Sequence, residues 1–240
     1  MRILFLTATA AFLFLQSIVF SQSKNICDKW DALDSLIINS LIEKEDALGQ
    51  MKEYEPEIRN YFRRHRGVMI SRDEWVFPLK NQSSFYYRDS GNDYRQAGYD
   101  YFQGSNTKGH PAHDIMIPDS NKDLKDDVTL KPVDAVSMSS GVVVATDTTW
   151  KPGSVLRGGR YVKIFDVTNN CIFYYSHLSV VSVRPGDIVI PGDKIGEVGR
   201  TGRKAILNNG KTHIHVANLK IKDGYPVPED IISDLRRKNK

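Results

Sequence analysis

The texture of this chain changes near Asp73, and that change limits its fold more than any other feature. Before it, apolar residues recur every three or four positions. After it, short β-branched and aromatic runs alternate with Gly, Pro, Asn and Asp, the pattern of short strands joined by turns. Candidate strands are Gly141–Thr146, Arg160–Asp166, Ile172–His177, Asp187–Ile190, Lys194–Val198 and Thr212–Ile221. The turns Arg184-Pro-Gly-Asp and Ile190-Pro-Gly-Asp almost repeat one another. The expected fold is mainly β, an antiparallel sheet domain over residues 73–225 preceded by a helical arm over residues 23–66.

Within the arm, Trp30, Leu33, Ile37, Leu41, Leu48 and Met51 form one stripe, which predicts an amphipathic helix from Asp28 to about Tyr54. Pro56 is expected to open a second, short helix through Tyr61 and Phe62. Arg63-Arg64-His65-Arg66-Gly67 closes it with positive charge and a glycine. Such an arm packs on the following domain or serves a partner or a second copy. Residues 226–240 read as a tail, with Leu235-Arg-Arg-Lys-Asn-Lys as a solvated end. The polar, tyrosine-rich stretch from Phe85 to Lys108 reads as a long loop of the kind that rims a site.

Residues 1–22 open with Met1-Arg2 and an apolar run from Ile3 to Phe20, followed by Ser21-Gln22-Ser23. This predicts a secretory signal peptide, and hence a periplasmic or secreted protein; an uncleaved anchor is the rival reading. A net charge of +4, without a basic stripe interleaved with aromatics, argues against nucleic acid as a partner. Cys27 and Cys171 are either a disulfide, in an oxidising compartment, or two isolated thiols.

Five of the six histidines lie between His110 and His215. Strand alternation puts His213 and His215 on one face, with Ile214 and Val216 on the other. His110-x-x-x-Asp114 supplies a second imidazole–carboxylate pair just before the strand-like Ile115-Met116-Ile117. Two imidazoles and a carboxylate suit a zinc ion and leave a position for water. His177 ends the aromatic run Phe173-Tyr174-Tyr175-Ser176. His113, next to Asp114, is expected to face away from it. Tyr101 or Asn106 are candidates for a further hydrogen-bond donor.

From about Trp75 to Leu219 the sequence resembles the M23 family of zinc metallopeptidases, the lysostaphin- and LytM-like cell-wall endopeptidases. The resemblance rests on His110-Pro-Ala-His-Asp114, on Pro132-Val133-Asp134-Ala135 with Gly141-Val142-Val143, and on Tyr175-Ser176-His177-Leu178. Val183-x-x-Gly186-x-x-Val189-x-x-Gly192-x-x-Ile195-Gly196, Gly199-Arg-Thr-Gly202 and His213-Ile-His215 follow in order. It implies one zinc ion per chain held by His110, Asp114 and His215, with His213 and His177 as catalytic histidines. It implies a peptidoglycan peptide as substrate; D-alanyl–diaminopimelate cross-links and glycine-containing bridges both fit. Ala112, Val216-Ala217 and Asp166 depart from the family's usual Gly, Phe-Glu and His. The alternative is a non-catalytic relative that binds and activates another wall hydrolase, with the helical arm as its contact.

Overall fold

An asparagine cap starts the first helix. In the computed structural model, which describes residues 25–207 and 210–238, the Asn25 side chain accepts from the backbone N–H groups of Cys27 and Asp28, and the Asp28 carboxylate accepts from Asn25 N–H. This reciprocal cap opens α1 (Ile26–Ile38). Asn39 closes it, and Ser40 adopts a left-handed backbone, φ 56°. α2 (Lys44–Arg64) follows and continues through Pro56. The helix break therefore lies at 39–43, not before Pro56 as the periodicity suggests. Pro56 is tolerated because the Lys52 carbonyl it cannot serve belongs to an exposed residue, while Met51 and Ile58 on either side are buried in the core. Among the described residues no helix is long and apolar enough to cross a membrane; the expected signal peptide lies outside them.

The strands follow in order: β1 (Leu79–Lys80), β2 (Tyr86–Tyr87), β3 (His113–Met116), β4 (Asp134–Val136), β5 (Gly141–Asp147), β6 (Arg160–Asp166), β7 (Cys171–Leu178), β8 (Val180–Val181), β9 (Ile188–Val189) and β10 (Lys194–Glu197). A short helix, α3 (Arg203–Leu207), precedes β11 (His213–Lys222), β12 (Tyr225–Glu229) and α4 (Ile232–Lys238). All pairings are antiparallel. The smaller sheet runs β1-β4-β10-β8; the larger runs β2-β3-β11-β7-β6-β5-β9, with β12 also on β11. The fold is mainly antiparallel β with helices at its N-terminal side, as the change of texture at Asp73 predicts.

The larger sheet buries each face differently. One face packs on the smaller sheet: Ile115, Val143, Ile164, Phe173, Ile214 and Val216 meet Leu79, Ala135 and Ile195. The opposite face is covered in part by the helices. There Trp30, Leu33, Ile37, Met51 and Phe62 pack on Val142, Phe165, Ile172 and Leu219, and each such side chain stabilises by about 1.5–3 kcal/mol when fully buried. The rest of that face carries the histidines. The arm is thus one packed layer with the sheet.

Two further expectations change. Residues 226–238 are not a solvated tail: β12 pairs along β11, and Ile231 and Leu235 are buried in the inter-sheet core. Asp234 and Glu229 hold Arg72, and Asp73 holds Arg237, so the charged end of α4 is fastened to the domain's first residues. Cys27 and Cys171 are free and buried in different clusters, so they are two isolated thiols.

Candidate metal centre and active-site cleft

Strand register creates the site. On β11, His213, His215, Ala217 and Leu219 alternate with Ile214 and Val216, which enter the inter-sheet core. His215 is paired with Asp114 of β3 on one side and Ser176 of β7 on the other. This puts the Asp114 carboxylate beside the His215 ring, with Nδ1 to Oδ1 at 2.8 Å. His110 lies in a two-residue bridge with Arg95 just before β3. Its Nδ1 donates to the Asp93 carbonyl at 2.9 Å, which aims Nε2 at Asp114 Oδ1, 3.0 Å away. Asp114 Oδ2 accepts from Arg88 at 3.1 Å.

The resulting donor set is two imidazole nitrogens and one carboxylate oxygen, all within 4.8 Å of one another. Tetrahedral zinc takes such donors at about 2.0–2.2 Å, so these residues fit a zinc ion with small side-chain adjustments. The electrostatics suit a cation. Burial alone would raise the Asp114 pKa; the hydrogen bonds from His110 and His215 outweigh it and hold the carboxyl well below the usual range. Burial draws His215 down, with Asp114 opposing. At His110 burial also acts downward, but the bond to Asp114 prevails and raises it.

His177 and His213 face this set. Their ring centroids are 4.6 Å apart, and His177 lies 5.7 Å from His215. His213 Nδ1 donates to the Lys211 carbonyl at 2.7 Å, and His177 Nδ1 to the Thr201 carbonyl at 2.6 Å. In the neutral ring each such bond makes Nε2 the proton acceptor. Burial, then the charges of His213 and His215, hold the His177 pKa well below its ordinary value. His177 also has a left-handed backbone, φ 65°, an uncommon conformation for a residue with a side chain. Gly202 makes room for it: a Cβ there would lie 2.9 Å from His177 Nδ1 and 2.3 Å from the Arg157 carbonyl.

All five residues line one cleft of about 720 Å³. Segment 157–159, the long loop before His110 and the end of α1 at Ile38 form its walls. Arg88, Arg95, Arg157 and Lys163 line it, and Asp114 is its one carboxylate among the described residues. Tyr101 and Asn106 do not serve the metal centre. The Tyr101 hydroxyl donates to Asp34 of α1, and the Asn106 amide donates to Ser40. His113 faces away from the cleft, buried between Asp93 and Asp230. Asp93 and Arg88 escaped the sequence reading. Both lie in irregular loop, where no period or spacing marks them.

Residues 128–227 match the family model described as Peptidase family M23. These residues belong to peptidase family M23. The matched segment of the M23 domain contains His177, His213 and His215; His110 and Asp114 precede it, and the tertiary structure brings them to it. Comparison with curated proteins returns no match. Among solved structures, the lytM structure of Ruminococcus gnavus, a candidate glycyl-glycine endopeptidase, is 18% identical with a TM-score of 0.48, over 90% of this chain and 87% of that one. Lysostaphin of Staphylococcus simulans is 19% identical with a TM-score of 0.38, over 62% and 51%. A SpoIIQ–SpoIIIAH pore-forming complex gives 17% and 0.44, over 70% and 98%.

Proposed function

We propose that this chain is an exported zinc metalloendopeptidase that hydrolyses peptide cross-links of peptidoglycan. The observation that carries the reading is the convergence of His110, Asp114 and His215 opposite His177 and His213 in one cleft. Zinc held by the three would polarise the scissile carbonyl and lower the pKa of the attacking water. His213, two residues from a ligand on the same strand face, takes the water's proton on Nε2. The water oxygen bonds to the carbonyl carbon, the carbon–nitrogen bond breaks, and the imidazolium returns the proton to the departing amine. His177, kept neutral, is a second acceptor beside it. To steady charge on the attacked oxygen, it must first hold a proton on Nε2.

The test measures bound zinc and muropeptide release from purified sacculi for wild type, His110→Ala and His213→Ala. The expected result is one zinc and activity in wild type, loss of both in His110→Ala, and zinc without activity in His213→Ala. A wild type that binds zinc and releases nothing sinks the hydrolase reading and leaves the activator. N-terminal sequencing of protein recovered outside the cytoplasm tests export, with the first residue expected near Ser23.

A further inference from the structure

One buried aspartate touches both N-terminal members of the candidate metal set, His110 through its backbone carbonyl and Asp114 through its carboxylate. Asp93 is 2% exposed. Its carbonyl accepts from His110 Nδ1 at 2.9 Å, and its Oδ2 accepts from the backbone N–H of Asp114 at 2.8 Å. The first contact sets the His110 ring so that Nε2 faces the site. The second pins the backbone from which the Asp114 carboxylate projects. Asp93 Oδ1 lies 2.8 Å from His113 Nδ1, and His113 Nε2 lies 3.0 Å from Asp230 Oδ1. The same Asp230 oxygen accepts from Ile232 N–H, the first residue of α4.

The loop before Asp93 is held by that helix a second time. Asp89, Ser90 and Gly91 all have positive φ, a tight turn costly for the two non-glycine residues. Arg236 of α4 donates to the Ser90 carbonyl at 2.8 Å, and a Cβ on Gly91 would lie 2.7 Å from Ile232. Arg88, at the start of the turn, is the residue that binds Asp114 Oδ2. The C-terminal helix therefore braces the loop whose residues orient two of the three metal side chains. It lies beyond the segment matched to the family.

From this we infer that Asp93 is the positioning residue of the metal centre, anchored through His113 and Asp230 on α4, and that zinc affinity depends on this chain of contacts. The inference rests on the metal-centre reading but not on hydrolysis. Partners that orient metal ligands are worth about 10–100-fold in affinity, although they touch no metal.

The experiment uses the full chain, with zinc affinity from chelator competition and the visible spectrum of the cobalt(II)-substituted protein. Asp93→Asn removes one acceptor and the charge while keeping the shape. It is expected to bind zinc about 10–100-fold more weakly and to shift the cobalt bands. Asp126→Ala is the control, a buried carboxylate that serves Ser83, Val128 and Thr129 and touches no metal residue. It is expected to lower thermal stability with unchanged zinc affinity and spectrum. Wild-type affinity and spectrum in Asp93→Asn overturn the inference. So does an equal loss of zinc in the control, which would make the effect one of stability. Should Asp93→Asn not fold, Asp230→Ala at the chain's outer end decides: a weaker zinc complex supports the inference and wild-type affinity overturns it. Zinc binding with these variant effects but no peptide cleavage fails the hydrolase reading alone. A wild type that binds no zinc fails both.

Discussion

Asp34 of α1 reaches Lys163 of β6 at 2.5 Å, and neither side chain is more than 5% exposed. The hydroxyls of Tyr101 and Tyr161 donate to the same carboxylate, so one acid in the arm satisfies a lysine and two tyrosines that line the cleft. Removing one partner of a buried pair leaves an uncompensated charge. Asp34→Ala is expected to cost about 3–5 kcal/mol, whereas Asp34→Leu combined with Lys163→Met recovers much of it. Chemical denaturation of wild type and the two variants checks this; equal stability of the single and double variants refutes the pair's role.

The same contact predicts that the arm cannot be removed. A chain beginning near Arg72 would expose Val142, Val144, Phe165, Ile172, Leu219 and Ile221 and take from Lys163 its carboxylate partner. The expected outcome is aggregation or loss of a cooperative melt, because such a contiguous apolar face associates in water. A soluble truncated protein with wild-type melting would show that the arm is dispensable.

Acid stability should report on Asp126. Burial acts to raise its pKa, but N–H donors of Thr129, Ser83 and Val128 and the Ser83 hydroxyl prevail and lower it to about 2. The unfolded value is about 3.9. A depressed folded pKa contributes stability that is present above the unfolded value and lost as pH falls through the folded one. Wild type should lose this contribution between about pH 4 and pH 2. In Asp126→Ala the orphaned donors cost about 1–3 kcal/mol at neutral pH, and this part of the pH dependence disappears. Denaturation midpoints from pH 2 to 7 test both.

The thiols should be inert in the native protein. Burial, followed by the Asp28 charge, pushes Cys27 up to about 12, and burial raises Cys171 further. The nucleophile is the thiolate, so a disulfide-exchange reagent should react with neither thiol until the protein unfolds, and then with both. Rapid native reaction, or a gel shift on reduction, would contradict the two separate buried environments.

Gly202→Ala should damage catalysis without removing metal. Gly202 has φ 106°, and the added carbon would press on His177 Nδ1 and the Arg157 carbonyl. Misplacing a catalytic group by about 1 Å can cost on the order of 100-fold. The expected result is a kcat/KM lower by about that factor with unchanged zinc content. Wild-type turnover would show that His177 tolerates displacement.

Much of this was legible along the chain. The alternation around His213 and His215 fixes which residues share a face, because a strand has a period of two whatever it packs against. The β-rich texture and its turns likewise specify an antiparallel domain, and the five candidate side chains sit in short motifs. Placement of the arm was not legible: an amphipathic stripe says that a face is buried, not what buries it. Nor was the break at 39–43, where the stripe runs on through Leu41 although that side chain is 71% exposed. The tail misled because its charges mask the buried Ile231 and Leu235.

By itself, then, the sequence determined most of the longer strands and the donor chemistry, both set by residues within a few positions of one another. Tertiary structure alone decided that His110 and Asp114 meet His215, that Asp93 and α4 hold them, and that Asp34 holds Lys163 of the cleft wall. These contacts join residues as far apart as the 146 positions between Ser90 and Arg236. Such pairings follow from which apolar faces bury together, and no local period records that choice.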